Sequence, residues 1–80
     1  MLSQKEILQF AVKGLESEIE KLETSIKQGY KLINQIDNGE KVKTAKPRHE
    51  ILEAVTKKAD EKEKLEKEKF NIEWQLENEQ

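Results

Sequence analysis

The apolar positions in the first half of this chain recur by alternating steps of four and three. They are Leu8, Val12, Leu15, Ile19, Leu22, Ile26, Gly29, Ile33 and Ile36, with polar residues filling most of the intervals. This spacing keeps one narrow stripe on a single face of a helix, which predicts an amphipathic helix packed along a seam against another. Only Gly29 interrupts the apolar seam. Ser3 followed by Glu6 forms a capping box, and Leu2 and Ile7 occupy the positions of a hydrophobic staple, so the helix is expected to begin at Ser3. Asp37-Asn38-Gly39 should end it, since Asn and Gly tolerate the left-handed conformation that follows a helix C-cap. About 34 helical residues give a rod of ~50 Å.

Residues 40–46 carry no helical period, and Pro47 suits the first turn of a second helix, where a missing N–H costs nothing. That helix runs to Glu77 on a poorer stripe. Ile51, Val55, Leu65, Ile72 and Leu76 share it with Lys58, Lys62 and Lys69, and Ala59 is the only apolar residue between Val55 and Leu65. If the helices fold back antiparallel, facing residues should have numbers summing to about 84. Leu8 then meets Leu76, Val12 meets Ile72, Ile19 meets Leu65, Ile26 meets Ala59 and Gly29 meets Val55. One continuous helix is opposed by Asn38-Gly39 and by Pro47. The expected fold is therefore all-α. It is one domain over residues 1–80, a two-helix antiparallel coiled-coil hairpin with helices at 3–37 and 47–77 and a loop at 38–46. Because lysines occupy the middle of its seam, the core is marginal, and two hairpins are expected to dimerise into a four-helix bundle.

Composition adds limits. Eighty residues make one small domain without room for a large enclosed site. Charged residues (40%) outnumber hydrophobic ones (34%), a balance shared by disordered chains, but the ordered repeat argues for helices exposing most of their circumference. With no cysteine, neither disulfides nor thiolate metal sites hold the fold. No segment has the apolar length of a signal peptide or of a membrane span, so a cytoplasmic protein that does not engage a membrane is expected. Fourteen of the fifteen basic residues are Lys, a usage that points to an AT-rich bacterial or phage genome.

Catalytic constellations are missing. His49 is the only histidine, and the residue three before it is Lys46, which rules out the Glu-x-x-His pairs of a di-iron bundle. Glu16, Glu20 and Glu23 share part of a helix face with nothing apolar around them and read as a solvated flank. Asp37-Asn38-Gly39-Glu40 lacks the alternating ligands and closing glutamate of a calcium loop and reads as a turn. No Gly-rich phosphate loop is present, and no Ser or Thr has a histidine placed as its base. No enzyme activity, cofactor, metal or small-molecule substrate is expected.

Charge is unevenly placed. Residues 41–49 hold Lys41, Lys43, Lys46 and Arg48 with no acid, so the hairpin tip is basic. From residue 59 onward eight acids stand against four lysines, so the open end is acidic. Lys41, Lys43, Lys46 and Arg48 are candidate phosphate contacts, and with one arginine and no aromatic beside them any nucleic-acid binding should be non-specific. In outline the molecule resembles the coiled-coil arms appended to some aminoacyl-tRNA synthetases, and Val42-Lys43-Thr44-Ala45-Lys46-Pro47 is similar to the segment at their bend. That resemblance implies contact of the tip with tRNA. It covers the tip alone and departs at Lys46, between Ala45 and Pro47, so it stops short of family membership.

Four apolar residues near the open end fall off the seam: Ile7, Phe10, Phe70 and Trp74. Leu32 and Leu52 are similarly displaced nearer the tip. Large aromatics that a hairpin cannot bury are favoured anchors of a contact with another chain. The expected function is accordingly a non-enzymatic protein–protein interaction or assembly module, whether a small adaptor, a regulator or a phage-encoded inhibitor. It would act as a homo-oligomer or on a protein partner through Ile7, Phe10, Phe70 and Trp74. The alternative is a non-specific nucleic-acid-binding arm acting through the tip.

Overall fold

The computed structural model describes residues 2–43 and 46–78, and within them two helices pack side by side in opposite directions. Helix α1 spans Gln4–Asp37 and helix α2 spans Arg48–Asn78. The molecule measures 56 × 19 × 15 Å, the length of one long helix by the width of two.

Local chemistry sets the ends of α1. The Ser3 hydroxyl accepts the Glu6 N–H at 3.2 Å, which satisfies one of the free donors of the first turn. The Glu6 carboxylate in turn accepts from the Ser3 hydroxyl at 3.4 Å. At the other end Asn38 is the C-cap and Gly39 adopts φ +76°, the one positive φ among the described residues. The Gly39 N–H bonds the Ile36 carbonyl, and the Glu40 N–H bonds the Gln35 carbonyl, each at 3.0 Å. These are the paired bonds of a Schellman motif, and they need the left-handed residue that glycine supplies without strain. Pro47 stands just ahead of α2 rather than inside its first turn. Its carbonyl accepts the Glu50 and Ile51 N–H groups at 3.1 and 3.2 Å and so opens the hydrogen-bond ladder.

All nine seam positions of α1 are buried or half-buried. On α2, Ile51 and Val55 are buried, and Ala59, Lys62, Leu65, Lys69, Ile72 and Leu76 are half-buried. Lys58, expected on this stripe, is instead exposed. The small Ala54 and Ala59 are half-buried on either side of it, and it borders a groove with Gly29, Ile51 and Val55 at the edge of the seam.

Burial is concentrated toward the tip. Ile33, Ile51 and Val55 form the core, with Ile26 and Ile36 packed against it. A fully buried aliphatic side chain contributes ~1.5–3 kcal/mol, so this cluster anchors the hairpin. Gly29 sits at its edge for a steric reason, because a Cβ there would overlap Cγ2 of Val55. Toward the open end Ile19 is the last buried residue among those described, and Leu8, Val12, Ile72 and Leu76 are only half-covered.

Candidate functional site

Among the described residues three cross-helix ion pairs agree with the register, their partners' numbers staying within one of the sum expected for the hairpin. Lys69 Nζ lies 3.4 Å from Glu16 on α1 and 3.5 Å from Glu73 one turn along its own helix. Lys62 Nζ repeats this arrangement, 3.4 Å from Glu23 and 3.5 Å from Glu66. The two lysines that interrupt the apolar stripe are thus each clasped between two carboxylates. Burial of the Lys69 ammonium pulls its pKa down, but Glu16 and Glu73 outweigh this and leave it above the usual value. Glu16 and Glu23, read from sequence as a solvated flank, are these lysines' partners across the seam. The matching spacing is in the sequence, since Glu16 and Glu23 are one heptad apart, as are Lys62 and Lys69, but which of them meet is decided only once the helices pack.

The third pair closes the tip. Arg48 Nε and a terminal guanidinium nitrogen donate to the two oxygens of Asp37 at 2.7 and 3.1 Å, a bidentate bond between the last residue of α1 and the first of α2. This hydrogen bonding holds the Asp37 carboxyl below its ordinary pKa and raises that of the Arg48 guanidinium. Arg48 was expected among four tip cations facing a phosphate, but its planar fork is engaged by a carboxylate. Lys41, Lys43 and Lys46 are exposed. Thr44 and Ala45 of the segment resembling a synthetase arm lie outside the described residues, as does Glu79 of the acidic end.

At the open end all four off-seam residues are exposed: Ile7 by 54%, Phe10 by 57%, Phe70 by 68% and Trp74 by 58%. Tyr30 and Leu52 are further exposed large side chains toward the tip. The aromatics do not form one patch. Phe10 lies midway between seam residues Leu8 and Val12, and Trp74 midway between Ile72 and Leu76, so each points away from the opposing helix. Phe10 borders a groove reaching Val12 and Leu76 at the mouth of the seam, with the Lys13 ammonium 6.0 Å from its ring centroid. Phe70 lies one turn from Trp74, in a groove made entirely by α2. Phe10 and Trp74 therefore occupy opposite outer faces of the rod.

Among the described residues no three His, Asp or Glu side chains converge as metal ligands, and no helix is long and apolar enough to cross a membrane. Comparison with protein-family models, with curated proteins and with solved structures found no match.

Proposed function

We propose that this chain is a non-enzymatic protein–protein interaction or assembly module, an adaptor, regulator or inhibitor, whose contact surface is the outer face of the open end. The observation that carries this reading is the Phe70–Trp74 pair, exposed one turn apart on a helix whose inner stripe is already covered by α1. Covering a large aromatic side chain is worth ~2–3 kcal/mol, so two neighbouring ones supply the centre of a specific contact. Phe10, on the opposite face, serves a second contact, and a rod with apolar residues on two faces suits assembly into a bundle. Sedimentation of the wild type and Trp74→Ala at matched concentration, with acrylamide quenching of Trp74, tests this. Trp74→Ala is expected to lower the association state or abolish partner capture while the hairpin stays helical. A monomeric wild type whose tryptophan stays fully quenchable beside candidate partners would remove the reading.

The competing function, a non-specific nucleic-acid arm, has less support because its one guanidinium is held by Asp37. It requires binding to duplex DNA that falls steeply as salt rises and is lost when Lys41, Lys43 and Lys46 become glutamine.

A further inference from the structure

The outer face of α2 carries a second groove besides the one at Phe70. In chain order, one is bordered by His49, Leu52, Glu53, Thr56 and Lys57, and the next, the Phe70 groove, by Glu63, Glu66, Lys67, Phe70 and Asn71. Each residue of the Phe70 groove lies two heptads after its counterpart in the Leu52 groove, so both grooves occupy the same face of the helix, ~21 Å apart. Both are made by α2 alone, and neither is covered by α1.

We propose that a second copy of this chain packs on this face, antiparallel to the first, with Phe70 of each copy seated in the Leu52 groove of the other. The inference rests on the reading that the Phe70–Trp74 face is an interface, and it names the partner and the orientation. Self-complementarity of charge is what selects them. In an antiparallel pair with groove on groove, Glu53 of one copy faces Lys67 of the other, and Lys57 faces Glu63, each contact occurring twice by the twofold axis. Lys67 already pairs with Glu63 of its own helix at 3.4 Å, an exposed pair that leaves both charges within reach of a neighbour. The acidic open half of each rod would also lie along the basic tip half of the other. A parallel pair would instead set Glu53 on Glu53, Lys67 on Lys67 and the two acidic ends together, which like charges oppose. One unfavourable contact is built in: Asp60, midway between Glu53 and Lys67, falls on the twofold axis and meets its own copy.

Since the chain has no cysteine, single introduced thiols report the orientation without background. Glu53→Cys and Lys67→Cys proteins, mixed in equal amounts and treated with a short bismaleimide, are expected to give mainly the mixed crosslinked dimer. Asp60→Asn should tighten association severalfold in sedimentation equilibrium. Circular dichroism checks that each variant remains helical. Crosslinks mainly between identical variants would mean a parallel pair and overturn the proposal. So would an Asp60→Asn protein that associates no more tightly than the wild type. If Phe70→Ser and Trp74→Ala abolish self-association while the mixed crosslink is absent, the orientation falls and the interaction reading stands. If both variants associate like the wild type, the face is not an interface and both fall.

Discussion

Val55 fills the space that a side chain at Gly29 would occupy. It is the most completely buried residue described, 3% exposed, and its Cγ2 lies where a Cβ on Gly29 would be built. The one glycine in the α1 seam is therefore a socket for the best-buried residue of α2. The usual cost of glycine inside a helix, about 1 kcal/mol relative to alanine, is accepted there in exchange for close packing.

Alanine at the two helical glycines should act with opposite sign. Nothing lies within 4 Å of a Cβ built on Gly14, so Gly14→Ala is expected to stabilise by about 1 kcal/mol through helix propensity alone. Gly29→Ala gains the same propensity but must displace Val55, and overpacking costs about 1–3 kcal/mol, so it should lower the thermal midpoint. The double variant Gly29→Ala, Val55→Ala should recover part of the Gly29→Ala loss. Thermal melts by circular dichroism decide, and a Gly29→Ala protein more stable than the wild type would contradict the packing described.

The Asp37–Arg48 clasp makes stability acid-sensitive. With its folded pKa depressed, Asp37 binds a proton more readily in the unfolded chain, so its contribution is present above the ordinary carboxylate pKa and is lost as pH falls through the folded one. Asp37→Asn should therefore melt below the wild type at neutral pH and approach it in strong acid. Urea midpoints for both proteins across that range are the measurement, and a constant difference would exclude the clasp.

Tip cations should separate into two kinds. Replacing Lys41 and Lys43 with glutamine is expected to leave helicity and melting unchanged, because exposed loop charges contribute little. Arg48→Gln alone should lower the midpoint, because it removes both bonds to Asp37.

Lys62 and Lys69 are expected to govern specificity more than stability. Leucine at both positions would complete an apolar stripe and raise the midpoint, since replacing partly buried ion pairs by packed apolar groups is often stabilising. The same change removes charges that match only in the antiparallel register, and sedimentation should show a broader range of assembled species. A Lys62→Leu, Lys69→Leu protein that melts lower than the wild type would show that the clasped lysines stabilise the seam.

Amide exchange should be slowest around Ile33, Ile51 and Val55 and quicken steadily toward Leu8 and Leu76, following the burial gradient. From the lysines in the stripe alone, the loosest point is expected near Lys58 and Lys62. The structure moves it outward, because Lys62 is clasped by Glu23 and Glu66 and the seam beyond Ile19 is only half-buried.

The amino-acid sequence by itself determined the seam of α1, the pairing of Gly29 with Val55, the cap at Ser3 and the turn at Gly39. These depend on spacing along one helix or on hydrogen bonds spanning a few residues, which a linear pattern encodes directly. Exposure of Phe10, Phe70 and Trp74 follows from the same periodicity, as residues off a stripe face outward. Only the tertiary structure decided the rest: that Lys58 is exposed while Lys62 and Lys69 are half-buried, and that Asp37 takes Arg48 from the basic tip. A lysine or arginine stem is long enough to reach several neighbours, and which carboxylate it meets depends on the separation and rotation of two packed helices. Those are properties of the pair, carried by neither helix alone.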